Sequence, residues 1–142
     1  MSDISRNEFA YEPVLFVDDN EIIRSKAAMV LENMGIDCVL AANGDEAMRL
    51  LEKDRFSLVI TDIVMPKMDG IELISWMRSA RIDVPVIVLS GKVLNESLSY
   101  SELATKFGAD IGFHKPLTPT KIEMAMMFRA APIDGPAHIA CS

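Results

Sequence analysis

The chain's 142 residues correspond to one domain, because two halves of this length would be too small to hold cores of their own. Fourteen Lys and Arg against 21 Asp and Glu leave a net charge of −7, which repels a phosphate backbone and argues against direct nucleic-acid binding. The two cysteines, Cys38 and Cys141, lie far apart with no CxxC or Cys/His cluster, excluding a disulfide framework and a zinc site. The N-terminus has no basic stretch followed by an apolar run, and no run of ~18 apolar residues occurs anywhere. A cytoplasmic protein, neither exported by a standard signal peptide nor inserted in a membrane, is expected.

Five short apolar runs punctuate the chain: Val14 to Val17, Ile36 to Leu40, Ser57 to Thr61, Val84 to Leu89 and Ile111 to His114. Each is followed by helical spacing. After the first, Ile23, Ala27, Val30, Leu31 and Met34 form an amphipathic stripe that Gly35 stops. The second linker, Asp45 to Lys53, puts Ala47, Leu50 and Leu51 on one face; the third, Gly70 to Ala80, does so with Ile71, Ile74 and Met77. The fourth is expected as a helix from about Leu94 to Phe107, with Leu94, Leu98 and Phe107 buried. The fifth starts at Thr118-Pro119, an N-cap followed by proline at the first helical position, and runs to about Arg129. Continuous rather than alternating apolar strands indicate burial on both faces. The pattern is therefore (βα)5, a doubly wound three-layer α/β sandwich on a five-stranded parallel sheet. Its expected divisions are a flexible arm over 1–12, a domain over 13–129 and a flexible tail over 130–142.

In such sheets ligands bind at the carboxyl ends of the strands. Those ends carry Asp18-Asp19-Asn20 after the first strand, Asp62 after the third, Ser90-Gly91 after the fourth and Lys115-Pro116 after the fifth. Taken singly, each has a plain structural use: an acidic pair in a solvated turn, a serine cap, a surface lysine. Taken together, they bring three carboxylates, a hydroxyl and an ammonium to one edge. Two carboxylates at ~4 Å repel by about 4 kcal/mol at an effective dielectric near 20, so a hard divalent cation is the expected remedy. Carboxylate and carbonyl oxygens suit Mg2+. A carboxylate beside such a metal can attack a phosphoryl group and become an aspartyl phosphate, with Lys115 and Ser90 holding the phosphoryl oxygens. Asp62, on the central run and followed by a loop rich in turn residues up to Gly70, is the best nucleophile; Asp18 and Asp19 are the better metal ligands.

The segments Val17-Asp18-Asp19-Asn20, Asp62-Ile63-Val64-Met65-Pro66-Lys67-Met68-Asp69-Gly70, Leu89-Ser90-Gly91, Gly108-Ala109-Asp110 and His114-Lys115-Pro116 together resemble the receiver domain of two-component response regulators, standalone and of the chemotaxis-regulator kind. The resemblance covers roughly residues 13 to 129 and implies a flavodoxin-like fold. It implies that Asp62 accepts a phosphoryl group from a phosphohistidine of a sensor histidine kinase or a histidine phosphotransfer protein. It also implies Mg2+ held by Asp19, Asp62 and the backbone carbonyl of Val64, with Asp18 acting largely through water. Ser90 and Lys115 match the family's phosphoryl-sensing hydroxyl and lysine. The chain is then no enzyme beyond catalysing its own phosphorylation and dephosphorylation. It signals by protein contact at the face of the fourth helix, fifth strand and fifth helix.

Two departures stand out. Gly112 occupies the position of the family's aromatic switch residue, so the response is expected in the Ser90 loop and fourth helix instead. The stretch from Ser90 to Gly108 is also longer than usual. Met124, Met126, Met127 and Phe128 spread around the last helix, and apolar surface left over there would suit a partner or a second copy. His114 and Lys67 are expected to carry no chemistry, and Asp69-Gly70 is expected to begin a helix. An aspartyl phosphatase of the haloacid dehalogenase type would place its nucleophile after the first strand in a DxD pattern, and a flavodoxin-like cofactor binder would need a phosphate loop where Asp18 to Glu21 stand.

Overall fold

A computed structural model describes residues 11–91, 93–95, 98–99, 102 and 105–130. Five strands, β1 (Val14–Val17), β2 (Cys38–Ala41), β3 (Leu58–Asp62), β4 (Val86–Ser90) and β7 (Ile111–His114), form one parallel sheet in the order β2-β1-β3-β4-β7. Among the described residues, helices with defined bounds are α1 (Glu21–Asn33), α2 (Gly44–Lys53), α3 (Gly70–Ser79) and α4 (Pro119–Met126), and residues 102, 105 and 106 are also helical. Side-chain alternation along the strands builds two cores. Leu15, Val17, Val59, Val86 and Val88 pack with Ala47 and Leu51 of α2 and Leu73, Ile74 and Met77 of α3. Val14, Phe16, Leu58, Ile60, Ile87 and Leu89 pack on the other side with Ala27 and Leu31 of α1 and Ile122 and Ala125 of α4. Both faces of the sheet are thus covered, which is why the strands read as unbroken apolar runs.

Helix ends follow from local chemistry. Asn20 caps α1, its Oδ1 accepting from the N–H groups of Ile22 and Ile23 at 2.9 and 3.1 Å. At the other end Gly35 takes φ 76°, with Gly35 N–H on Glu32 O and Ile36 N–H on Leu31 O, a Schellman stop that glycine permits without strain. Asp69 and Glu72 form a reciprocal capping box, so Asp69-Gly70 does start a helix. Thr118 caps α4 with Pro119 behind it.

The structure corrects four expectations. The stretch expected as a helix from Leu94 opens with a two-stranded antiparallel ribbon, β5 (Val93–Asn95) and β6 (Leu98–Ser99). Phe107, expected in its buried face, is 48% exposed, and the side chains of Leu94 and Leu98 lie outside the described residues. On α3 the buried wedge is Leu73, Ile74 and Met77, with Ile71 only partly buried at its edge. α4 ends at Met126, short of Arg129, because the chain is drawn off the helix: Ala130 donates its N–H to Ser57 O at 2.9 Å, and the Arg129 guanidinium stacks 3.6 Å over the Tyr11 ring. Met124, Met127 and Phe128 are exposed, while Met126 packs against the α1/α4 core. Ser57 also holds the chain before β1, donating from its hydroxyl to Glu12 O at 2.6 Å. Cys38 is half-buried in β2, and Cys141 lies outside the described residues.

Candidate functional site

The strand order places the ends of β1, β3, β4 and β7 side by side, so residues far apart in sequence meet. Asp18, directly after β1, is 1% exposed. Its carboxylate accepts from the Asn20 N–H at 2.9 Å and from Lys115 Nζ at 3.0 Å. Asp62, the last residue of β3, accepts the Ile63 N–H at 2.8 Å on Oδ1 and faces Lys115 Nζ at 3.2 Å with Oδ2. Lys115 follows β7, and its backbone N–H donates to Ser90 O at 3.0 Å, fixing it to the end of β4. The Lys115-Pro116 peptide is cis. Carboxylate oxygens of Asp18, Asp19 and Asp62 lie within 4.8 Å of one another, Asp19 being the exposed member. Asp62, Val64, Ser90, Gly91 and Lys115 line a cavity of about 180 Å3 that opens beside Asp62.

Every residue singled out at the strand ends therefore lies at one edge. His114 does not join it: its side chain is exposed and its carbonyl faces Lys121. Two residues that the sequence reading passed over support the cluster from outside. Arg24 donates from Nη1 to Asp18 O at 2.8 Å, holding the turn after β1 against α1. Lys121 Nζ donates to the carbonyls of His114 and Pro116, on either side of Lys115. Lys121 was detectable as a lysine in the first turn of a helix, where the macrodipole disfavours a cation.

Electrostatics set the character of the edge. Burial pushes the Asp62 carboxyl above its ordinary value and the Asp18 charge adds to this, while the Lys115 ammonium and the Ile63 N–H pull the other way without prevailing. Burial alone would lower the Lys115 ammonium, but its hydrogen bond to Asp18 and the charges of Asp62 and Asp18 outweigh that and hold it above its ordinary value. Lys115 thus pairs with two of the three carboxylates, and at 4.8 Å a carboxylate pair repels by about 3–4 kcal/mol at an effective dielectric near 20. The donors are all hard oxygens, a set that fits a divalent cation such as Mg2+.

A pH dependence follows for the metal-free protein. With its native pKa above the unfolded one, Asp62 binds more protons folded than unfolded, so its contribution favours folding at low pH and is lost as pH rises through the native value. Asp62→Asn is expected to be the more stable form at neutral pH in EDTA, with the gap closing as pH falls through the carboxylate range. Urea unfolding across that range checks this; a gap that widens on acidification would contradict it.

The doubly wound sheet defines an α/β domain with an acid-and-lysine cluster at its strand ends. The family described as the response regulator receiver domain matches residues 14–127, and the chain belongs to that family. Among curated relatives, it is 32% identical over 77% of its length to the alkaline phosphatase synthesis transcriptional regulatory protein PhoP of Bacillus subtilis. It is also 32% identical over 86% of its length to the response regulator MprA of Mycolicibacterium vanbaalenii. The chain spans 44% and 53% of the lengths of these two proteins. Among solved structures, the receiver domain of the Francisella response regulator 1452 matches 82% of this chain and 96% of its own, with TM-score 0.72 and 29% identity. The chemotaxis protein CheY4 of Vibrio cholerae matches 83% of this chain and 98% of its own, with TM-score 0.71 and 29% identity. The fold is the flavodoxin-like fold of receiver domains, and phosphorylation on aspartate with Mg2+ is a feature of the family. Among the described residues, no helix is long and apolar enough to cross a membrane.

Proposed function

We propose that this receiver, cytoplasmic and with a domain core over 13–129, accepts a phosphoryl group on Asp62 from a phosphohistidine of a sensor kinase or phosphotransfer protein, and signals by phosphorylation-dependent protein contact. The observation that carries this is the Lys115 ammonium, 3.0 Å from Asp18 and 3.2 Å from Asp62 at the mouth of a cavity that Ser90 also lines. In the transfer, an Asp62 carboxylate oxygen forms a bond to phosphorus as the P–N bond breaks, and the departing imidazole keeps the electron pair. Lys115 and the Ser90 hydroxyl hold phosphoryl oxygens, supplying the positioning and charge neutralisation on which phosphoryl transfer depends. Asp19, Asp62 and the Val64 carbonyl would hold Mg2+, with Asp18 acting largely through water, and the ion would supply the remaining positive charge. Attack by water on phosphorus later returns the carboxylate and releases phosphate. The response then shifts a pre-existing equilibrium in the segment after Ser90-Gly91 and in the β7/α4 face, where Met124, Met127 and Phe128 present apolar surface to a downstream protein or a second copy.

Intact mass after incubation with Mg2+ and a small phosphodonor tests the reading. Wild type is expected to gain one acid-stable, base-labile phosphoryl group and Asp62→Asn none; equal gain by both would overturn it. Metal binding is checked separately. At a hundredfold excess over its Kd, Mg2+ is expected to stabilise the fold by about 2.7 kcal/mol, read as a rise in Tm. Asp19→Asn should need more Mg2+ for the same rise, and an unchanged Mg2+ requirement would remove Asp19 from the ligand set.

A further inference from the structure

Lys121 runs against the local chemistry of its helix. It is the third residue of α4, its N–H donating to Thr118 Oγ1 at 3.2 Å, and α4 has no acidic side chain in its first turn to offset it. The open N–H groups of a helix start favour carboxylates there and disfavour an ammonium. The Lys121 side chain turns back instead, with Nζ donating to His114 O at 2.6 Å and Pro116 O at 3.0 Å. Hydrogen bonds with an ionised donor are roughly twice as strong as neutral ones, and two of them outweigh the unfavourable end of the helix dipole. The two acceptor carbonyls bracket Lys115, whose backbone is tied to Ser90 O and whose ammonium bridges Asp18 and Asp62. A residue that breaks a local preference while gripping both sides of a site residue is placed for the site.

We infer that Lys121 is a positioning residue: it fixes the loop that carries Lys115 and so joins the start of α4 to the acidic cluster. The inference rests on the reading of Asp62 as phosphoacceptor. When Lys115 Nζ turns from the carboxylates toward phosphoryl oxygens, residues 114–116 adjust, and the Lys121 clamp carries that adjustment into the first turn of α4. The same helix leads to the exposed Met124 and Met127. Without the clamp, Lys115 still reaches Asp62, but the helix no longer follows it.

The test is backbone amide NMR on the whole chain with Mg2+ and beryllium fluoride, a mimic of the acyl phosphate, for wild type, Lys121→Met and Lys121→Arg. Wild type is expected to shift at Asp62 and Ile63 and along residues 120–126. Lys121→Met should keep the shifts at Asp62 and Ile63 and lose most of those in α4, with α2 amides unmoved, and Lys121→Arg should restore them, an outcome that general loosening would not give. If α4 in Lys121→Met responds as in wild type, the inference is overturned and the reading of Asp62 stands. If wild type shows no shift at Asp62, both fall.

Discussion

Lys115→Met is expected to lower the stability of the metal-free protein by about 3 kcal/mol, the low end for breaking a buried ion pair from one side. The low end applies because the Lys115 side chain keeps 23% of its exposure, whereas Asp18 is 1% exposed and has nowhere to relax to. Methionine fills much of the stem's volume, so the loss measures charge rather than packing. Two features separate this from general damage. The deficit should shrink as pH falls, because protonated carboxylates no longer need the ammonium, and Mg2+ should recover part of it by supplying the missing positive charge. Uptake from a phosphodonor should fall as well, since a group that neutralises phosphoryl charge is gone. Denaturant unfolding with and without Mg2+ checks the first part; a variant as stable as wild type in EDTA would mean that the charge of Asp18 and Asp62 is offset by something other than Lys115.

Gly70→Ala is expected to cost about 2 kcal/mol, within the range for overpacking a fitted core. A Cβ at position 70 would stand 2.3 Å from Asp62 O and 2.9 Å from Ile63 Cα, both backbone atoms that cannot swing aside. Either α3 or the end of β3 must move, and the Gly70 N–H bond to Ile63 O at 2.8 Å goes with it. Because Asp62 is the residue displaced, phosphoryl uptake should drop by up to about 100-fold, the penalty for misplacing a reacting group by roughly 1 Å. Gly91→Ala is the control beside the same cavity: among the described residues its Cβ meets only Lys115 Cδ at 3.8 Å, an ordinary contact, and stability should stay within about 0.5 kcal/mol of wild type. Equal stability losses in the two variants would contradict this account of the β3–α3 junction.

The sheet and its active edge were legible because they depend on patterns that survive in one dimension. Both sheet faces are covered, so the strands read as unbroken apolar runs, and the residue ending each run falls at the same edge whatever the loops do. That is how Asp18 and Lys115, 97 positions apart, could be expected to meet. The segment after Ser90 was less legible. Leu94 and Leu98 are spaced for one helix face, but the chain there forms the β5–β6 ribbon, in which Asn95 pairs with Leu98, and spacing over so short a stretch does not separate helix from strand. On α3 the Ile71, Ile74, Met77 triad caught two core residues and missed Leu73, because a helix between sheet and neighbour buries a wedge wider than one stripe. The end of α4 depended on tertiary bonds to Ser57 and Tyr11 that no local signal announces. Lys121 was a local signal left unread: a cation at a helix start.

The most direct measurement is the position of the phosphoryl group itself. After treatment with Mg2+ and a small phosphodonor, borohydride reduces an aspartyl phosphate to homoserine, and peptide sequencing by mass spectrometry locates it. Homoserine at position 62 alone is the expected result. Homoserine at Asp18 or Asp19, or a phosphoryl group retained on His114 with position 62 unmodified, would contradict the assignment of Asp62 as the acceptor.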